Sequence, residues 1–191
     1  PAFAGEVAVI LDHGAREMVE EGKDVFYYLT VYNEPVPQPG PPDDLDVEGL
    51  LKGMYLFSPG QGSKDQAQAQ LLASGVALPW ALKAQRMLRD EWSVDAAVWS
   101  VTSWNELARE AMQVEDRNFR HPMEPNKTPY VTEKLASVEG PVIAVSDYQR
   151  AVQDDGNPAA RAMLLDVFEV TDRLFAGDEP RLRQTLDQTV R

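Results

Sequence analysis

Five prolines within eight residues, "PVPQPGPP" at positions 35–42, divide this chain more sharply than any other feature. Proline locks φ and has no N–H to give, so neither a helix nor a central strand can pass through Pro35, Pro37, Pro39, Pro41 and Pro42. The stretch must run extended. Asp43, Asp44, Asp46 and Glu48 follow and keep it in water, which makes residues 35–48 a semi-rigid acidic connector. Two units are therefore expected, one ending at Glu34 and one beginning near residue 49.

The first unit is short. Val7, Ile10, Leu11, Gly14 and Met18 fall at helical spacing, which predicts a helix over residues 2–21 with those five on its buried stripe. Gly22 is a stop signal. Val25 to Tyr32, within "DVFYYLTVYNE", is rich in β-formers and reads as a strand. One helix and one strand cannot close a sheet, so this strand is expected to finish a unit rather than build one.

The second unit has a clear rhythm. "GMYLF" (53–57) reads as a short strand, and "SPGQGSKD" as a turn-rich loop. A strand is expected near 69–74, then a helix over 77–91 with Leu78, Ala81, Leu82 and Leu88 on one side and Pro79 tolerated in its first turn. "AAVWSVTS" (96–103) is a buried strand, and a helix opens at Trp104. Thr128-Pro129 reads as an N-cap with proline at the first helical position, the helix running to about Ser137. "PVIAVSD" (141–147) is the last strong strand. Apolar strands alternating with helices predict an α/β fold, a mostly parallel sheet with right-handed crossovers.

From Asn157 the pattern is purely helical. Leu164, Val167, Phe168, Leu174 and Phe175 share one face before Gly177, and Leu182, Leu186 and Val190 follow four apart. An αα-hairpin over 157–191 is expected, with apolar stripes that require a partner surface.

The 191 residues carry a formal net charge of −13, which disfavours phosphate neutralisation and so argues against binding nucleic acid or an anionic membrane. Cysteine is absent, so disulfides, thiolate zinc sites and cysteine nucleophiles are excluded. No apolar run approaches the ~20 residues of a membrane span, and no signal peptide is expected. A cytoplasmic protein is expected.

Catalytic candidates are few. His13 and His121 stand in no metal-ligand spacing and read as structural. Ser103 and Glu106, in "SWNE", fit a capping box better than a nucleophile and base. "GQGSK" (60–64) has lysine and serine in the wrong order for a phosphate loop. Asp147 and Thr102 lie at carboxyl ends of strands, where ligands sit in open α/β sheets; Asp147 reads rather as an N-cap for a helix from Tyr148. Trp80, Trp92, Trp99 and Trp104 read as core or interface aromatics. These residues define a fold and no catalytic machinery.

Taken together, "PAFAGEVAVILDHG", "DVFYYLTVYNEP", "LLASGVALPWALKAQ", "AAVWSVTSWNELARE", "HPMEP" and "TPYVTEKLASVEGPVIAVSDY" resemble one family. It is the homodimeric bacterial first component of the pyruvate dehydrogenase complex, the thiamine-diphosphate-dependent decarboxylating subunit, in its actinobacterial form. The likeness runs in order from Pro1 to about Gln153. It implies that residues 1–34 are the end of a pyrimidine-binding middle domain and 35–48 the linker. Residues 49–153 would then be a transketolase-type C-terminal α/β domain.

The resemblance also implies thiamine diphosphate and magnesium as cofactors, a lipoyl-bearing acetyltransferase as partner, and a homo-oligomer or contact with other domains of the same enzyme. The family's Gly-Asp-Gly…Asn diphosphate motif, activating glutamate and active-site histidines all lie upstream of the segment matching Pro1. No catalytic, cofactor-binding or metal residue is therefore assigned, and no cofactor is expected on this chain alone. Nor does the family's "GTDGFG"-like strand have a counterpart after Gln153, so the chain reads as a truncated or rearranged piece. Two roles remain open: a structural, dimerising part of a pyruvate dehydrogenase component, or a stand-alone interaction or regulatory module without catalysis.

Overall fold

The computed structural model describes residues 1–32, 35–42, 44–63 and 65–146. The expected hairpin of 157–191 lies outside them, as does Asp147. Helix α1 (Ala4–Ala15) opens the chain, and its backbone widens into a π-helical turn over Arg16–Glu20. Gly22, at φ +64°, ends it. Its inner face is Phe3, Glu6, Ile10 and Gly14, not the purely apolar stripe expected: Leu11 is 56% and Met18 41% exposed. The reason is that Glu6, one turn in, finds four donors inside and claims the buried face.

The expected strand over 25–32 is not formed. The segment runs extended, but among the described residues no strand lies beside it to complete a ladder. It is held by side chains instead. The Tyr27 ring lies where a Cβ on Gly14 would sit 3.0 Å from it. Leu29 packs with Ile10, Leu50 and Tyr55. Phe26 and Tyr28, on the opposite face, are 88% and 85% exposed. The proline ladder then passes back over α1, where the Ala4 N–H donates to the Gln38 side-chain oxygen at 2.9 Å.

Helix α2 (Val47–Lys52) starts the second unit, capped by Asp46, which accepts from the Gly49 N–H at 2.8 Å. Strands β1 (Met54–Ser58) and β2 (Ala67–Ala73) come next, then α3 (Ala77–Trp92), β3 (Val94–Val101), α4 (Trp104–Arg120), α5 (Tyr130–Leu135) and β4 (Val142–Val145). The sheet order is β1-β3-β2-β4. The expected parallel strands are found: β2 pairs parallel with β3, Ala67 opposite Val94, and with β4, Gln70 opposite Val142. Only β1, on β3, is antiparallel.

Both faces are covered, which is why β2 and β3 read as continuous apolar runs rather than alternating ones. Leu71, Ala73 and Val98 meet Leu78 and Ala81 of α3 on one side. Leu72, Trp99 and Val101 meet Leu107, Tyr130 and Leu135 on the other. Crossovers on opposite faces of one sheet make a doubly wound α/β unit.

Several boundaries differ from expectation, β3 running over Val94–Val101 rather than 96–103. Ser103 does cap α4, accepting from the Glu106 N–H at 3.1 Å. Thr128, however, does not cap α5. That helix starts at Tyr130, after Pro129, because the Tyr130 N–H is met by the Glu110 carboxylate of α4 at 3.0 Å. A tertiary acceptor replaces the local cap, and α5 ends at Leu135 rather than near Ser137.

Candidate functional site

A cavity of about 590 Å³ opens where α1 and the extended segment 25–32 meet the carboxyl ends of β2 and β3. Thr102, Ser103 and Trp104 line it from β3 and α4, Ser74 from β2, and Tyr27 and Tyr32 from the extended segment. This is the edge at which open α/β sheets take ligands. The chemistry of its polar groups decides whether it acts as a site.

Those groups are largely committed to one another. The Thr102 hydroxyl, 7% exposed, donates to the Leu50 carbonyl at 2.6 Å. Trp104 Nε1 donates to Ser74 Oγ at 3.0 Å. Ser103 caps α4, and Arg109 pairs with Glu106. At the mouth, the Glu17 carboxylate accepts from Tyr27 at 2.5 Å and from Lys23 at 2.8 Å, with His13 at 3.6 Å. Those hydrogen bonds, from Lys23 first and Tyr27 next, hold Glu17 below the usual carboxylate range. Burial, then the bond to Glu17, pushes Tyr27 up to about 12.

The arrangement ties α1, the extended segment and the ends of β2 and β3 together through these bonds. Among the described residues no three His, Asp or Glu side chains converge as a metal site. The acidic rim groups Glu17 and Glu106 are each paired, with Lys23 and with Arg109. Thr102, expected at a strand end, is there and is spent on structure, while His13 and His121 stand in surface pairs with Glu17 and Glu124.

The four tryptophans divide. Trp99 and Trp104 are core residues with indole partners, Trp99 Nε1 donating to Gln70 at 2.9 Å. Trp92 is partly buried against the α3 side of the core, and Trp80 is 60% exposed.

One group matters here that sequence reasoning passed over. Glu6 is 4% exposed. Its Oε1 accepts from Tyr55 at 2.9 Å and Ser100 at 2.5 Å. Its Oε2 accepts from the Ala2 and Phe3 N–H groups at 2.5 and 3.1 Å. Burial and this carboxylate push the Tyr55 hydroxyl far above its ordinary range. Glu6 thus ties α1 to β1 and β3 beneath the cavity. A glutamate three residues into a helix was the available signal.

Doubly wound topology, three parallel strands and an antiparallel edge define an α/β domain of transketolase C-terminal type. Residues 53–165 match the transketolase-like TK C-terminal domain family, and the chain belongs to it.

Curated relatives carry a more particular name. "Pyruvate dehydrogenase E1 component" of Mycolicibacterium smegmatis is 54% identical over 159 residues, covering 83% of this chain. The protein so named from Mycobacterium tuberculosis is 49% identical over 159 residues, again 83% of the chain. That from Haemophilus influenzae is 39% identical over 192 residues, covering 91% of this chain and 21% of its own length. The chain spans 17% of the length of each of the two actinobacterial relatives. Among solved structures, a Pichia stipitis transketolase aligns over 61% of this chain and 14% of its own, with TM-score 0.36 and 17% identity. A Leishmania mexicana transketolase aligns over 56% and 12%, with TM-score 0.33 and 19% identity. No helix among the described residues is long and apolar enough to cross a membrane.

Proposed function

We propose that this chain is the C-terminal part of a pyruvate dehydrogenase first component. Its role there is structural and dimerising, in an enzyme that decarboxylates pyruvate and passes the acetyl group to a lipoyl-bearing acetyltransferase in the cytoplasm. Residues 49–153 form the transketolase-type domain of that enzyme, residues 35–48 its linker, and residues 1–34 the edge of the preceding domain. Thiamine diphosphate and magnesium, held by residues outside this chain, supply the electron sink for decarboxylation. The residues described here hold α1, the extended segment and the α/β unit in one arrangement through the Glu6 and Glu17 contacts.

The observation that carries the reading is the 54% identity over 159 residues to a protein of that name. The commitment of Thr102, Ser103 and Glu17 to structural bonds supports a non-catalytic part within it.

The experiment is a segment exchange. The matched segment of the Mycolicibacterium smegmatis relative is replaced by residues 1–153 of this chain, and pyruvate decarboxylation is assayed with the cofactors added. The chimera should assemble as its parent does and keep activity within about tenfold, a barrier change of about 1.4 kcal/mol. A soluble, correctly assembled chimera without decarboxylation would refute the proposal.

A further inference from the structure

The outer face of α3 carries a stripe that is complementary to itself. Trp80, Ala84, Met87 and Glu91 recur at alternating steps of four and three, so they share one side of the helix. Trp80 is 60% and Met87 45% exposed, while Leu78 and Ala81 on the inner side are buried against the sheet. Lys83 and Asp90, both exposed, flank the stripe along one edge. Lys83 lies over the Trp80 ring, 5.5 Å from its centre, and Asp90 bonds its neighbour Arg89 through Oδ1 at 3.1 Å. Among the described residues Lys83 and Glu91 form no ion pair.

We propose that this face is a contact between two copies of the chain, with the α3 helices antiparallel about a two-fold axis. A two-fold interface sets one patch against itself, so its charges must complement one another in reverse order. Those of α3 do. With Ala84 against Met87 of the second copy, Trp80 falls against its Glu91 and Lys83 beside its Asp90. Each contact occurs twice. The Glu91 carboxylate then meets a tryptophan that already carries an ammonium over its ring. Arg86, further round the same edge, stands clear of the contact. A parallel alignment would instead set Glu91 against Glu91 and leave Lys83 and Asp90 apart.

Phe26 and Tyr28 are more exposed still, but they lie in the segment assigned above to the edge of the preceding domain. The α3 face belongs to the α/β unit itself. This contact gives the dimerising role proposed above a surface, and rests on that reading for the association of copies. Segment exchange measures activity and sedimentation measures contact, so failure of the one is distinguishable from failure of the other.

Sedimentation equilibrium of the full chain at low ionic strength should show a monomer–dimer equilibrium that weakens with added salt. Lys83→Glu and Asp90→Lys each make both flanking pairs repulsive, and each should raise the dissociation constant about tenfold or more. Both positions are exposed, so the fold should keep its melting temperature. An equimolar mixture of the two variants should regain association, because in the mixed pair both flanking contacts again join opposite charges. Trp80→Ala should weaken the dimer without altering the charges. A chain that stays monomeric at millimolar concentration, or a dimer indifferent to both charge reversals, overturns the proposal. So does association lost in each variant and not regained in the mixture, since these residues would then face another surface.

Discussion

Removing the Glu6 carboxylate isolates the contribution of one buried side chain to the joint between α1 and the sheet. In Glu6→Ala, the Tyr55 and Ser100 hydroxyls, 1% and 0% exposed, lose their acceptor in a region closed to water. Each orphaned buried group costs about 1–3 kcal/mol. Loss of the carboxylate that accepts from the Ala2 and Phe3 N–H groups removes a helix-start interaction worth about 0.5–2 kcal/mol. The sum is about 2.5–8 kcal/mol, a large part of the 5–15 kcal/mol that typically stabilises a domain.

Glu6→Gln should fare only partly better, because its amide nitrogen offers a donor to one of the two donor pairs. Urea unfolding of the full chain measures the effect as a midpoint shift at constant slope. The double variant with Tyr55→Phe supplies the cycle: removing both partners should cost clearly less than the sum of the single changes. A Glu6→Ala loss below about 1 kcal/mol, or strict additivity with Tyr55→Phe, would show that the four bonds are not a coupled anchor.

Two further perturbations address the sheet and the charges. Gly140 has φ +87°, and a Cβ there would fall 1.9 Å from the Gln68 carbonyl oxygen of β2. Gly140→Ala should therefore cost more than about 2 kcal/mol by unfolding, with amide exchange accelerated in β4 before the rest of the sheet. Alkaline stability should fall through the tyrosines. Burial, then Asp46, pushes Tyr130 up to about 12, so the folded state holds this proton more tightly than the unfolded chain, whose tyrosines titrate near 10. The associated stability is complete below pH ~10 and is lost as pH rises towards ~12, about 2–3 kcal/mol for this group. Tyr130→Phe should flatten that limb of a stability–pH curve, and an unchanged limb would refute the assignment.

How far the sequence foretold this structure depended on where each interaction finds its partner. The strands β2, β3 and β4 were legible because a strand covered on both faces needs no alternation, only a short apolar run between turn signals. Residues 25–32 carry the same β-forming side chains, yet propensity describes a side chain's fit to a pleated surface and supplies no neighbouring backbone. Without a ladder partner among the described residues the segment stays extended and unpaired. Thr128 failed as a cap for the converse reason: its acceptor role was taken by Glu110, twenty residues before the Tyr130 N–H it meets and adjacent only after α4 has packed.

The candidate site follows the same logic. Its position at the strand ends could be inferred from Thr102, since topology puts such residues at a ligand-bearing edge. Its chemistry could not, because the Leu50 carbonyl that occupies Thr102 comes from α2, fifty-two residues away. Glu6 was missed by the rule that worked best elsewhere. Apolar periodicity assigns the buried face to Leu11 and Met18, whereas a carboxylate with four donors waiting outcompetes them. Those donors come from β1, β3 and the helix start, so only the assembled fold gathers them. The chain's least conventional core residue is thus the one that ties the first unit to the second. A glutamate at the third position of an otherwise apolar first helix becomes the specific pattern by which such an anchor can be sought in another sequence.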